Sequence, residues 1–318
     1  MAAADSAEAL PPLVAIVGPT AVGKSALAMA LAPRYRGEII SADSRQLYRH
    51  MDIGTAKPTP EERQAVPHHL VDFLEPDHEY TLADYQEDAY AAIAVVAARG
   101  GLPLLVGGTG LYVRVALGGF GIPRVAPHPA VRRELEAYAA ARGADALHRR
   151  LAEVDPAAAA RIDYRNVRRV VRALEVFEVT GQPISVQQAQ APRPWRVLTL
   201  GLTLDRADLY RRIDERVDWQ IEHGLVEETE RLVAKGFGCH LPALSSLGYR
   251  QVCMYLRGEL TLVEAINLIK TRTHRFARQQ YTWFRLDDPR IRWLRAEAAA
   301  DVEASRLVGR FLADQGAA

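Results

Sequence analysis

The stretch Gly18-Pro19-Thr20-Ala21-Val22-Gly23-Lys24-Ser25 has the residue types and spacing of a complete phosphate-binding loop. Before it lies an apolar run, Leu13–Val17, that reads as a buried strand. After it, Ser25–Ala32 reads as a helix. A strand feeding a glycine-bracketed loop and a helix N-terminus aims backbone N–H groups and a helix dipole at one point. Gly18 and Gly23 allow the close turn, Lys24 adds positive charge, and the Ser25 hydroxyl can be placed on Mg²⁺. The chemistry is the binding of a diphosphate or a triphosphate.

Other residues narrow that choice. Kinases and NTPases usually end an apolar strand in an acid that holds Mg²⁺. Here the best candidate strand, Leu102–Val106, ends in Gly107-Gly108-Thr109-Gly110. The acid at a strand end near the loop is Asp43, after Ala42, which suits either a metal-water ligand or a general base facing bound phosphates. Arg165, Arg168, Arg169 and Arg172 are spaced to share one helix face, with Val167, Val170, Val171, Leu174 and Phe177 opposite. Guanidiniums grouped without an interleaved acid call for an anionic partner, and nucleic-acid phosphates fit. A second basic cluster, Lys270, Arg272, Arg275, Arg278 and Arg285, runs beside Tyr281 and Trp283 and suits single-stranded bases or simple packing. His68 and His69 are adjacent and so point to opposite faces of a strand, which makes them structural and not a metal pair.

These residues need a scaffold of alternating strands and helices. Leu13–Val17, Glu38–Ala42, His69–Leu74 and Leu102–Val106 read as strands, with a helix opening at a Thr81/Asp84 cap and stopping at Gly100-Gly101. The expected class is α/β: a P-loop-containing parallel-sheet core domain with an inserted all-helical domain. In such sheets ligands lie beyond the carboxyl ends of the strands, so the Gly18 loop, Asp43 and Thr109 should converge. Gly, Pro and His punctuate Gly118–Pro129, helix-forming residues then dominate to about Thr180, and the chain returns to a β-rich run at Val197–Leu204. Helices are expected over Ala207–Ala234 and Leu262–Arg285, then a strand at Ile291–Leu294 and a terminal helix. The domain boundaries are drawn as a disordered N-terminus at 1–12, a core domain at 13–117 and 195–318, and a helical insert at 118–194.

Composition bounds the rest. With 318 residues, 49% hydrophobic and 25% charged, the chain can bury a full core and a smaller second domain. A net charge of +1 means that any RNA site must come from local clustering of the 40 Lys and Arg. Cys239 and Cys253 are expected as free, buried thiols of a reduced protein. Residues Met1–Pro12 lack the basic start and apolar stretch of a signal peptide, and no window approaches a membrane span, so a cytoplasmic protein is expected.

At this point a resemblance becomes specific. Residues 18–25, Ala-Asp-Ser-Arg-Gln-Leu-Tyr at 42–48, Met-Asp-Ile-Gly-Thr-Ala-Lys-Pro at 51–58 and Pro-His-His-Leu at 67–70 resemble the tRNA dimethylallyltransferases. So do Gly-Gly-Thr-Gly-Leu-Tyr at 107–112, Arg-Ala-Leu-Glu-Val at 172–176 and Leu-Gly-Tyr-Arg-Gln at 247–251. The family moves a dimethylallyl group from its diphosphate to N6 of the adenine immediately 3′ of the anticodon, position 37. The resemblance implies that the loop, Gly18, Pro19, Thr20, Ala21, Val22, Gly23, Lys24 and Ser25, holds the diphosphate leaving group instead of ATP. It implies Asp43, Thr20 and Arg216 as catalytic residues, with Arg212 the alternative to Arg216, and Mg²⁺ as cofactor at Ser25. It also implies tRNA contacts at Asp43, Ser44, Arg45, Gln46, Thr109, Arg132, Arg168, Arg169, Val170, Val171 and Arg172. A further stretch of contacts is implied at Ser245, Ser246, Leu247, Gly248, Tyr249 and Arg250.

The implied partners are the tRNA anticodon stem-loop and dimethylallyl diphosphate, with no membrane and a monomeric enzyme. This chain has His274 and Gln279 where the family commonly carries Arg, which points to a rearranged tRNA grip there. The rival reading is a small-molecule or nucleotide kinase using ATP on the same phosphate-loop fold. It predicts ATP turnover and has no use for the arginine stripe.

Overall fold

The computed structural model describes residues 10–119, 121–188 and 194–314. The chain divides into two compact units, Met1–Leu117 with Pro194–Ala318, and Gly118–Arg193. Of the N-terminal segment expected to be disordered, residues 1–9 lie outside the described residues, and Pro12 already opens the first strand.

The larger unit is built on six strands, β1 (Pro12–Val17), β2 (Glu38–Ser41), β3 (His68–His69), β4 (Pro103–Val106), β5 (Arg196–Thr203) and β6 (Ile291–Arg295). They lie in the order β3-β2-β4-β1-β5-β6, and every pairing between them is parallel. Continuous apolar runs such as Leu13–Val17 suit this sheet because a parallel strand is covered on both faces, and all five residues are buried. On β1, Val14 is flanked by Leu104 of β4 and Leu198 of β5. Since β2, β4 and β1 are neighbours, their three C-terminal loops open side by side on one edge of the sheet.

Helices α1 (Lys24–Leu31), α2 (Pro60–Ala65), α3 (Leu82–Ala98) and α4 (Gly110–Ala116) fall in the first half of this unit. Thr81 and Asp84 form the reciprocal cap read from the sequence, each side chain bonded to the other's backbone N–H. The third strand is much shorter than the His69–Leu74 expected. Leu70 and Asp72 both have positive φ, 59° and 62°, which turns the chain out of the sheet after His69. Asp72 is then held by Lys57 at 2.7 Å and Arg63 at 3.0 Å. The two histidines serve the structure: His69 Nε2 is 2.6 Å from Glu38 and His68 Nδ1 is 2.8 Å from the Val66 carbonyl.

The smaller unit contains α5 (Pro129–Arg142), α6 (Ala144–Val154), α7 (Pro156–Ala159), α8 (Val167–Thr180) and α9 (Ile184–Gln187). Its own core joins Leu135, Leu147, Leu151, Val170, Val171 and Leu174. The rest of the larger unit follows, with α10 (Arg206–Glu222), α11 (Leu225–Ala234), α12 (Tyr249–Leu256), α13 (Leu262–Gln280) and α14 (Ala300–Ala313).

Two expectations are corrected here. Arg165 is not on the helical stripe, because Asn166 caps α8 and the helix begins at Val167. Arg165 instead folds back onto Asp163, at 2.7 Å. Cys239 and Cys253 are not free thiols. They form a disulfide with Cα atoms 5.9 Å apart. The loop leaving α11 turns back over α12, a proximity that a spacing of 14 residues does not reveal.

Candidate active site

The phosphate loop connects β1 to α1 in a conformation that its residues dictate. Gly18 has φ +140°, and a Cβ there would lie 2.5 Å from the Leu202 carbonyl of the adjacent strand, so only glycine fits. Ala21 takes φ 63°, a left-handed conformation that costs a non-glycine residue roughly 1–2 kcal/mol. Such strain is typical of backbone shaped for a ligand.

The loop lines one side of a cavity of about 470 Å³ in the larger unit. Lys24 Nζ donates to the Pro19 carbonyl at 2.7 Å across the loop. Burial pushes the Lys24 ammonium down to about 8; the Asp43 carboxylate opposes that fall and the Arg216 guanidinium adds to it. Arg216 enters from α10, with Nη1 3.4 Å from the Thr20 hydroxyl. Its pKa is also lowered by burial, against the attraction of Asp43. Arg216 and Lys24 therefore face the same space, while Arg212 does not line it. Two desolvated cations beside one carboxylate leave an unbalanced positive charge, which an anionic ligand would neutralise.

Asp43 stands at the end of β2, one strand from the loop's own neighbour β4. Its Oδ1 accepts the Arg45 N–H at 2.9 Å, a local turn that fixes the carboxylate's direction toward the cavity. Thr109, after β4, accepts the Ser44 N–H on its hydroxyl at 3.2 Å and donates to the Ser44 hydroxyl at 3.4 Å. The loops after β1, β2 and β4 thus meet in one cavity. Gln46 points away into its own support, bonding Ser41 and the Ala56 carbonyl at 3.1 and 3.0 Å. Arg45 reaches the Pro242 carbonyl at 2.8 Å and so ties the Asp43 loop to the segment that precedes α12.

That segment divides sharply. Ser245, Ser246, Leu247 and Gly248 line the cavity. Tyr249 is buried in the core, its hydroxyl donating to Glu228 at 2.5 Å, so no ligand surface is left to it. Arg250 is exposed outside the cavity lining. Ile213 and Val217, on α10 with Arg216, and Ile269 and Phe276 of α13 add an apolar part to the cavity lining. Sequence reasoning did not assign Gly54, Thr55, Gln220, Phe276 or Gln280 to the site, yet all line it. Gly54 and Thr55 lie within the Met51–Pro58 motif, a signal that was present. The glutamines and Phe276 sit in ordinary helical sequence and carry no such mark.

Within the smaller unit the predicted tRNA residues separate into three kinds. Arg168 and Arg169 are exposed, and no carboxylate pairs with them among the described residues. Val170 and Val171 face the core. Arg132 and Arg172 converge on Glu175, at 2.8 and 2.6 Å, and Glu175 is fully buried. Burial works to raise the Glu175 pKa, but Arg132, the His128 N–H and Arg172 outweigh it and hold the carboxyl below its usual range. Glu175 is therefore an acid within the arginine stripe, hidden under it.

For a metal, the described residues contain no group of three His, Cys, Asp or Glu side chains suited to hold one. Ser25, exposed in the first turn of α1, offers a hydroxyl oxygen. An ion there would take its other ligands from the bound anion and water, as hard divalent cations do. No helix among the described residues is long and apolar enough to cross a membrane.

The IPP transferase family model matches residues 46–287, and an isopentenyl transferase model matches residues 11–72. The chain is 57% identical to a tRNA dimethylallyltransferase of Roseiflexus sp. (strain RS-1) over 274 residues, 86% of this chain and 90% of that one. To the tRNA dimethylallyltransferase of Dehalococcoides mccartyi it is 46% identical, covering 96% and 94%. Among solved structures, the tRNA isopentenylpyrophosphate transferase of Bacillus halodurans superposes with a TM-score of 0.72 at 40% identity, covering 96% and 98%. A eukaryotic dimethylallyltransferase described as acting on tRNA gives 0.80 at 25% identity, covering 96% and 80%. With matches of this extent in sequence and in fold, the chain belongs to the IPP transferase family.

Proposed function

We infer that this protein is a prenyltransferase that moves a dimethylallyl group from dimethylallyl diphosphate to N6 of an adenine in tRNA and releases diphosphate. The observation that carries this reading is one cavity in which Thr20, Lys24 and Arg216 face Asp43 beside an apolar wall. The wall suits the five-carbon group, the cations suit its diphosphate, and the carboxylate suits a proton acceptor. In the reaction the N6 lone pair attacks the allylic carbon as the carbon–oxygen bond to diphosphate breaks. Asp43 accepts the proton that N6 loses, while Lys24, Arg216 and the Thr20 hydroxyl stabilise the charge growing on the leaving oxygen.

Several finer assignments belong to the same proposal. The acceptor is the adenine at position 37, in the anticodon stem-loop, and it must leave its stack to reach Asp43. Arg168 and Arg169 supply phosphate contacts from the helical unit. Ser25 would hold Mg²⁺, which when bound would supply Lewis-acid neutralisation of the diphosphate. The enzyme acts as a monomer in the cytoplasm, where its tRNA is.

The test is incubation with labelled dimethylallyl diphosphate, Mg²⁺ and unmodified tRNA, with ATP in a parallel reaction. Label should enter tRNA, and Asp43→Asn should slow transfer by roughly 10²–10⁴ with tRNA binding retained. Phosphoryl transfer from ATP without label in tRNA would overturn the reading in favour of a kinase.

A further inference from the structure

Gln280 is the last residue of α13 and only 4% exposed. Both ends of its amide are used, and both partners belong to the cavity's rim. Its Oε1 accepts the backbone N–H of Thr20 at 2.8 Å, across 260 residues of sequence. Its Nε2 donates to the Gly108 carbonyl at 2.9 Å, across 172 residues. The approach is so close that a Cβ on Gly108 would lie 2.2 Å from Nε2 and would have to displace the amide.

The bridge links two loops with different work. Thr20 belongs to the phosphate loop and is the residue that Arg216 touches. Gly108 precedes Thr109, whose hydroxyl holds Ser44 beside Asp43. Pro19 has no N–H to donate, so Thr20 carries the first backbone donor after Gly18, and Gln280 occupies it. Any anion is thereby left with the donors from Ala21 onward and with the Thr20 hydroxyl, aimed by its anchored backbone.

We propose that Gln280 is a positioning residue that sets the phosphate loop and the Gly107–Gly110 loop in register, so that Thr20 and Asp43 act on the same substrate. It works through Thr20 on one side and through Gly108 on the other. This rests on the reading of Thr20 and Asp43 given above. A buried donor or acceptor left without its partner commonly costs a factor of about 10 to 100.

The test is steady-state kinetics of Gln280→Met, which keeps the length and removes both hydrogen bonds, alone and combined with Thr20→Val. Gln280→Met should lower kcat/KM for dimethylallyl diphosphate by about 10-fold or more, with tRNA Kd within about twofold of wild type. In the Thr20→Val background its further effect should shrink below about threefold, because both changes remove the same placement. Gly108→Ala, which pushes on the bridge from its other end, should reproduce the loss. Where Gln280→Met does not fold, Gln280→Glu fills the same volume without a donor to Gly108 and should also lose activity.

Wild-type kinetics in the Gln280 variant, or losses that multiply fully in the double variant, would overturn the proposal. Thr20→Val with wild-type rates would overturn the reading of Thr20 on which it rests. A slow Thr20→Val beside an unimpaired Gln280→Met would reject the positioning role alone.

Discussion

Glu228 and Tyr249 are joined by a 2.5 Å hydrogen bond, hydroxyl to carboxylate, that fastens α11 to the first residue of α12. The same carboxylate accepts the N–H groups of Asp52 and Ile53 at 2.9 Å and of Gly54 at 3.2 Å. Gln220 closes the loop from α10 by donating to the carbonyls of Ile53 and Gly54 at 2.7 and 3.2 Å. One buried acid therefore holds the wall of the cavity formed by Gly54 and Thr55. Replacing Glu228 by Ala strands several donors at once, and each buried unsatisfied group costs about 1–3 kcal/mol. The expected result is destabilisation of more than about 3 kcal/mol, read as a lowered denaturant midpoint. Glu228→Gln should fall between that variant and wild type, because it keeps one acceptor.

Lys24 makes ligand binding pH-dependent. Burial brings its pKa to about 8 in the free site, so the ammonium is partly discharged just above neutrality. A bound diphosphate favours the charged form, and binding therefore takes up a proton. Affinity for dimethylallyl diphosphate should fall as pH rises through about 8. Calorimetry in buffers of different ionisation enthalpy should detect the uptake, and Lys24→Arg should abolish it, since arginine stays charged. A pH-independent affinity between about 7 and 9 would contradict the assignment.

The arginines of the helical unit should respond in two ways. Arg168→Ala with Arg169→Ala should weaken tRNA binding and flatten its dependence on salt, by about 0.7 to 0.9 in log–log slope for each phosphate no longer neutralised. Folding should be almost untouched, since both side chains are exposed. Arg132→Ala should instead destabilise the unit, because it removes two hydrogen bonds, at 2.8 and 3.1 Å, from a fully buried Glu175. Thermal unfolding beside tRNA titration separates the two effects.

The Cys239–Cys253 bridge closes a short loop that contains Ser245–Gly248, four residues of the cavity wall. A loop of that length is worth about 3 kcal/mol by chain-entropy arguments. Replacing both cysteines by serine should lower the unfolding midpoint accordingly. Thiol titration of the denatured protein should find no free thiol before reduction and two after it. Two free thiols before reduction would mean that the pair is not bonded in solution.

Much of this molecule was legible because its signals are local. A phosphate loop is one contiguous stretch whose glycines, lysine and serine are chosen by backbone geometry within eight residues. Buried parallel strands announce themselves as apolar runs, and the Thr81/Asp84 cap spans a single helical turn. The meeting of the Gly18 loop, Asp43 and Thr109 followed from a general rule about strand ends, and the strand order β2-β4-β1 makes them neighbours. What tertiary structure decided is what depends on distant partners. The stripe read as four arginines with no acid among them, but Glu175 is buried beneath it, where Arg132, from another helix, and Arg172 both turn inward to pair with it. Two cysteines 14 residues apart carry no sign of whether the chain doubles back between them. Gln280 reads as one polar residue in a basic helix until Thr20 and Gly108, both far away in sequence, are brought to its two ends. An amide has no long-range charge and no spacing rule, so its role exists only once the fold has set its neighbours.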